Sequence, residues 1–378
     1  MRSSIRLGSV FGIPIGLNFT WFISLGFVVL VLGLRVYPSF FPHLSPWVRW
    51  GLALTSALLF FSSIVVHELA HSLVARRLGI PVKEITLFLL GGVARIAREA
   101  PRPLSEFVMA GVGPLTSLLL SGFFLLLWFL GGGGSGPLPT MWQWLWIMNL
   151  VLALFNLMPG FPLDGGRLLR AALWGATGSN QRATRISTRS GQAMAYALIV
   201  VGVVIVVGPQ GLVLGLSPLN GLWFALVGMF LNASAHQSYW QVRLMDVLRH
   251  YSVADAMNRG LTTVEEATTV EEALRRFGYG AGDVYLFVRR GETVVGVVEG
   301  QGLRAVLELA RAHTSVGQVM TPAEAVSVAH ADDNLADVVQ RLDMEEASRL
   351  PVVDEGQVIG YVGRESLALV LRRHPELR

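Results

Sequence analysis

Ser62-Ser63-Ile64-Val65-Val66-His67-Glu68-Leu69-Ala70-His71 closes an apolar run that begins near Leu52 and is long enough to cross a bilayer. Positions four apart share one face of a helix, so the imidazoles of His67 and His71 meet where they can hold a single divalent cation. Two neutral imidazoles suit zinc, and Glu68 is the neighbouring carboxylate able to take a proton from water held by the metal. Ionisable groups at the end of an apolar helix cost roughly a few kcal/mol each in lipid and are retained for function. The stretch therefore reads as a hydrolase signature carried on a membrane helix.

Composition agrees with that placement. Of 378 residues, 52% are hydrophobic and 15% charged, a balance too apolar for an ordinary soluble chain and long enough for two or three domains. The net charge of +4 comes from arginines in loops, which bears on topology and gives no reason to expect a nucleic-acid partner. With no cysteine in the chain, disulfides, thiolate ligands and cysteine nucleophiles are excluded, and His, Asp and Glu remain as zinc ligands.

Working outward, Met1 to Ile13 carries Arg2 and Arg6 and precedes an apolar segment from about Leu17 to Leu34, expected as the first membrane helix. The second helix is expected from Leu52 to Leu78 and is stopped by Gly79-Ile80-Pro81. Val82 to Ile96 is β-prone, too short to span, and interrupted by Gly91-Gly92, which predicts an extended segment or hairpin near the membrane surface, with a plain loop as the alternative on composition alone. A third helix is expected from about Phe107 to Leu130, with Gly111-Val112-Gly113-Pro114 allowing close approach of a neighbouring helix. The fourth runs from about Met141 to Met158. There the chain must break, because Asn156-Leu-Met-Pro159-Gly-Phe-Pro162-Leu-Asp164-Gly-Gly-Arg167 sets two prolines and a glycine pair around one aspartate, predicted to be presented from irregular backbone. Further apolar runs at about Ala193 to Val207 and Leu212 to Leu231 bring the expected count to six spans. Arginines concentrate on the side shared by the two termini, which predicts a multi-pass protein of a prokaryotic plasma membrane with both termini cytoplasmic.

A catalytic zinc takes three protein ligands and leaves a position for water, so Asp164 is the candidate to join His67 and His71. His-Glu-Leu-Ala-His together with Asn-Leu-Met-Pro-Gly-Phe-Pro-Leu-Asp-Gly-Gly-Arg resembles the paired motifs of the site-2 protease family of intramembrane zinc metalloproteases, over roughly residues 1 to 240. The resemblance implies one zinc per chain on His67, His71 and Asp164, with Glu68 as general base. It also implies that Asn156 assists at the substrate or transition state, and that Gly91 and Gly92 belong to an edge receiving an unwound transmembrane substrate. The alternative from another class is a metal transporter or channel gated by the C-terminal region. A base beside a single metal argues against it, since transport needs ligands only.

Residues 241 to 378 are soluble in character and internally repeated, at about 247–310 and 311–373. Val253-Ala-Asp-Ala-Met257 matches Val316-Gly-Gln-Val-Met320, and Gly296-Val-Val298 matches Gly360-Tyr-Val362, an offset of about 64 residues. The unit of extended entry, helix, two strands and helix resembles a tandem cystathionine-β-synthase (CBS) pair, which implies an α/β regulatory domain. Such pairs commonly bind an adenine nucleotide, often through an aspartate after the Gly-Val-Val strand. Here Glu299 to Gly302 and Gly363, Arg364 and Glu365 stand in that region. Two readings stay open: a nucleotide-binding pair, or a ligand-free domain that presents substrate or joins two chains as a homodimer. The expected whole is an α-helical polytopic membrane domain of six transmembrane helices followed by an α/β tandem CBS domain.

Overall fold

The computed structural model describes residues 5–89, 91–96, 100–134, 136–208, 217–277, 284–345 and 347–373. The chain divides into two units, Met1–Val242 and Arg243–Arg378.

The described part of the first unit begins with a hairpin, in a segment for which the sequence predicted no element. Strands β1 (Ile5–Val10) and β2 (Ile13–Leu17) pair antiparallel through a two-residue turn. Phe11 and Gly12 both sit at positive φ there, 50° and 72°, a backbone whose twist matches that of the flanking strands. The first apolar helix then runs over Thr20–Phe40 rather than Leu17 to Leu34, as α1 (Thr20–Val31) and α2 (Tyr37–Phe40) joined by a π-helical turn at Leu32–Val36. Pro38 falls just past the π-helical turn, a local widening of the kind that accommodates proline in a membrane helix.

The long helix α3 (Pro46–Arg77) carries the charged pentad in its last three turns. Strands β3 (Val82–Phe88) and β4 (Gly91–Ile96) form the expected hairpin, with Thr86 opposite Val93 and Phe88 opposite Gly91. Parallel pairing of β2 with β3 joins both hairpins into one sheet of order β1-β2-β3-β4, so β4 is an edge. Ile13, Ile85 and Leu69 pack that sheet onto α3. Helices α4 (Pro103–Leu130) and α5 (Pro137–Asn156) follow as an antiparallel pair, each opened by proline in its first turn. Next come α6 (Asp164–Thr177), α7 (Asn180–Val207) and α8 (Pro218–Leu248).

Among the described residues, five helical stretches are long and apolar enough to cross a membrane: Thr20–Phe40, Pro46–Arg77, Pro103–Leu130, Pro137–Asn156 and Asn180–Val207. The expected sixth span, Leu212 to Leu231, lies partly outside the described residues. Its remainder forms the first half of α8, where Asn220 and Asn232 dilute the apolar character.

The second unit repeats one motif twice. Its first copy has α9 (Val253–Ala256), β5 (Thr263–Glu265), α10 (Val270–Phe277), β6 (Tyr285–Arg290), β7 (Thr293–Glu299) and α11 (Gly300–Ala305). The second has α12 (Val316–Val319), β8 (Thr321–Pro322), β9 (Ala329–His330), α13 (Leu335–Glu345), β10 (Arg349–Asp354), β11 (Gln357–Gly363) and α14 (Arg364–Arg373). Both α9 and α12 open with a reciprocal capping box, Ser252 with Asp255 and Ser315 with Gln318, which satisfies orphan amides at the same place in each copy. Each apolar cluster takes its entry helix from the other copy: Val316 of α12 packs with Leu274, Leu286 and Leu303, and Val253 and Ala256 of α9 with Leu335, Leu342 and Leu350.

Candidate active site and metal centre

His67 and His71 lie one turn apart on the buried face of α3, with ring centroids 4.9 Å apart and Nε2 atoms 3.2 Å apart. Helix α4 fixes both rings from behind. His71 Nδ1–H donates to the Met109 carbonyl at 2.6 Å, and His67 Nδ1 lies 2.8 Å from Ser117 Oγ. Engaging Nδ1 in this way leaves each Nε2 facing the centre, an orienting role that outer hydrogen bonds commonly play for metal-binding histidines. Gly113, midway between those anchors, is where α4 comes closest: a Cβ there would collide with the Nε2–Cε1 edge of His71 and lie 2.7 Å from His67 Nε2. The Gly111-Val112-Gly113-Pro114 stretch does permit close helix approach, and the surface it approaches is the imidazole pair.

Asp164 completes the cluster. Its Oδ2 lies 3.2 Å from His67 Nε2 and 3.0 Å from His71 Nε2. The sequence predicted a carboxylate on irregular backbone; instead Asp164 is the first residue of α6, and the irregular stretch is residues 157–163 before it. At that position its charge also faces the favourable end of the helix dipole.

Do these groups fit a metal? Two imidazole nitrogens aimed at each other 3.2 Å apart have no reason to stay there unless a proton or a cation lies between them. The three ligand atoms form a triangle with sides of 3.0 to 3.2 Å. That matches the edge of about 3.3 Å expected for a tetrahedral ion with bonds near 2.0–2.1 Å, and the donor set of two nitrogens and a carboxylate oxygen suits zinc. No other group of three or more His, Asp or Glu side chains among the described residues converges in this way.

Glu68 leaves α3 beside His67 and is half-buried in an apolar cavity of about 410 Å³ that His67, Asn156, Gly91, Gly92 and Trp223 also line. The β4 edge presses on this carboxylate. A Cβ on Gly92 would come within 2.7 Å of Glu68 Cγ, and the Ala94 amide donates to the carboxylate. Asn156 ends α5 with its Nδ2 donating to the Leu152 carbonyl at 3.0 Å. All seven residues singled out in the sequence thus border one region. Ser117 and the Met109 carbonyl were not foreseen; their spacing about Gly113 on an apolar helix was the available signal.

Two buried histidines and a half-buried aspartate that could hold a metal ion, beside a carboxylate in an apolar cavity, are the arrangement expected of a membrane-bound metallohydrolase. Family models agree: that of peptidase family M50 matches residues 55–133 and 134–198, and that of the CBS domain matches residues 253–307 and 316–373. Among curated relatives, the Synechocystis sp. protein sll0528 is 34% identical, covering 98% of this chain and 96% of its own. Rip3 of Mycobacterium tuberculosis is 33% identical over 98% and 93%, and MJ0392 of Methanocaldococcus jannaschii 27% over 97% and 96%. All three have zinc metalloprotease in their names. The solved site-2 protease from Methanocaldococcus jannaschii aligns with a TM-score of 0.42 at 28% identity, covering 62% of this chain and 94% of that one. The chain belongs to the M50, or site-2 protease, family, and it is a zinc metalloprotease that carries a CBS pair.

Proposed function

We propose that this protein cleaves peptide bonds in or near transmembrane segments of membrane proteins, with His67, His71 and Asp164 as zinc ligands and Glu68 as general base. The observation that carries the reading is the shared cavity: Glu68 and His67 border the same apolar space as Ile23, Phe27, Phe60 and Leu152. A helix in lipid hides its peptide bonds, so a substrate has to unwind, and its apolar side chains then need an apolar enclosure. The free edge of β4 beside Glu68 suits such an extended segment, which would add a strand at Gly91 and Gly92.

Zinc, when bound, supplies Lewis acidity toward the scissile carbonyl and acidifies the water it holds. Glu68 takes a proton from the attacking water and returns it to the departing amine. Asn156, which lines the same cavity, meets the polarised peptide. Six spans, with α8 contributing the last, and both termini in the cytoplasm fit the arginine distribution.

The C-terminal unit is a regulator outside the catalytic machinery. Its ligand class by family is an adenine nucleotide. The acidic residues near the ribose position are already engaged: Glu299 accepts from Ser348 Oγ at 2.7 Å, and Glu365 from Arg349 Nε at 2.6 Å, while Arg349 stacks on Tyr285 and Tyr361. A nucleotide that engaged these carboxylates would displace these contacts, and it shifts the rate only if it binds one arrangement of the pair better than another. Comparing full-length protein with a chain ending at Val242, with and without ATP or AMP, tests this. Zinc lost on truncation, or a nucleotide effect surviving it, refutes the assignment.

The decisive test of the main reading is Glu68→Gln in purified protein with a membrane-protein substrate. Cleavage falls by roughly 10²- to 10⁴-fold with zinc content unchanged. Full turnover by that variant would remove Glu68 from the reaction.

A further inference from the structure

Burying a charge inside a helical membrane unit is costly, yet Glu106 and Arg170 are 1% and 5% exposed. Glu106 lies in the first turn of α4 and Arg170 midway along α6. Glu106 Oε1 accepts from Arg170 Nε at 2.8 Å and also from Arg170 Nη2, and Arg167 Nε lies 3.9 Å away. Neither residue belongs to the ligand triad of His67, His71 and Asp164.

What the pair connects is the informative part. Three residues beyond Glu106 is Met109, whose carbonyl orients His71; Gly113 and Ser117, which seat and orient the imidazoles, follow at four-residue intervals on the same helix. Six residues before Arg170 is Asp164. Helix α4 therefore holds the anchors of two ligands and α6 holds the third, while the chain between them runs through α5 and the non-helical residues 157–163. That stretch is tied to Arg170 as well. The guanidinium lies over the Phe161 ring at 5.2 Å, and the Phe161 amide donates to the Ser187 carbonyl of α7 at 3.2 Å. A planar fork that bonds a carboxylate in its plane and stacks an aromatic on its face is a rigid strut, which lysine does not reproduce.

We propose that Arg170, gripped by Glu106, is a positioning residue that sets Asp164 at its spacing from His67 and His71. The proposal rests on the zinc reading of that triad. It distinguishes a brace from general packing, because a buried ion pair can usually be replaced by apolar side chains without loss of stability.

The experiment measures zinc affinity by chelator competition, and thermal unfolding of the zinc-free forms, in full-length protein. The variants are His67→Ala, Glu106→Gln, Arg170→Lys, Arg170→Met, and the double variant Glu106→Met with Arg170→Met. His67→Ala loses zinc. Each of the others binds zinc on the order of 10- to 100-fold more weakly, the range typical for groups that orient ligands. The double variant recovers the wild-type unfolding temperature but not the affinity. Wild-type affinity in the double variant, or in Arg170→Lys should the Met variants fail to fold, overturns the brace. Zinc retained by His67→Ala overturns the triad reading and the brace with it, whereas zinc lost there and kept in every Arg170 variant fells the brace alone.

Discussion

Fifteen of the sixteen buried polar or charged residues among those described lie in the N-terminal unit, and Ser366 alone lies in the C-terminal one. The C-terminal unit instead buries valine, leucine and alanine in two clusters and Tyr285 and Phe287 with Val297 in a third, and keeps ion pairs such as Arg290 with Glu266 toward solvent. The contrast separates a region shaped for chemistry from one shaped for folding. Water can solvate a surface arginine in the second unit at no cost. In the first unit the costly groups are the four ionisable ones, His67, His71, Glu106 and Arg170, and these are the ones whose burial points to a task.

The largest effect expected on this contrast comes from Asp164→Ala. It removes a ligand, so zinc content and cleavage should both fall to the level of the metal-free protein, while unfolding of the C-terminal unit stays unchanged. Elemental analysis beside a cleavage assay checks it, and full zinc in the variant would break the assignment. Gly113→Ala should come next. The added methyl pushes the imidazoles off their anchors, and zinc affinity should drop on the order of 100-fold although no ligand has changed. A chelator titration reads that shift.

Gly92→Pro should cost less. It removes one edge amide and crowds Glu68, so cleavage should slow about 10-fold, comparable to one or two hydrogen bonds, with zinc retained. Unaltered cleavage would make β4 a bystander. The smallest effect is expected at Arg290 in the C-terminal unit. Its guanidinium grips both Glu266 oxygens, at 2.6 and 2.8 Å, and holds that carboxyl below its ordinary value. A depressed carboxyl stabilises the folded state above the ordinary glutamate range near about 4.3, and that contribution disappears as pH falls through the folded value. Arg290→Ala should therefore weaken the C-terminal unit slightly at neutral pH and not at all in acid. Unfolding curves at both pH values test the sign.

Much of this was legible in the chain. The i, i+4 histidines, the neighbouring glutamate and the Pro-Gly-rich aspartate motif carry their chemistry in residue type and spacing, and lipid makes such residues conspicuous by their cost. The repeat in the C-terminal region was equally plain, because two copies of one supersecondary unit must bury the same positions. Hairpin β1–β2 was not visible: its turn is Phe11-Gly12 rather than Asn-Gly, and its partner, β3, lies some seventy residues on.

Residue types, their spacing and the two motifs were thus enough to determine the family, the candidate ligands and the division between apolar and repeated regions. Tertiary structure alone decided that Asp164 starts a helix, that Gly113 seats the imidazoles, that β4 lies against Glu68, and that Glu106 meets Arg170 across 64 positions. The reason is physical. Periodicity and motif spacing report on neighbours along one helix or strand, whereas a metal centre is the intersection of several elements. Where those elements cross is fixed by which side chains can pack together, and no local pattern records it.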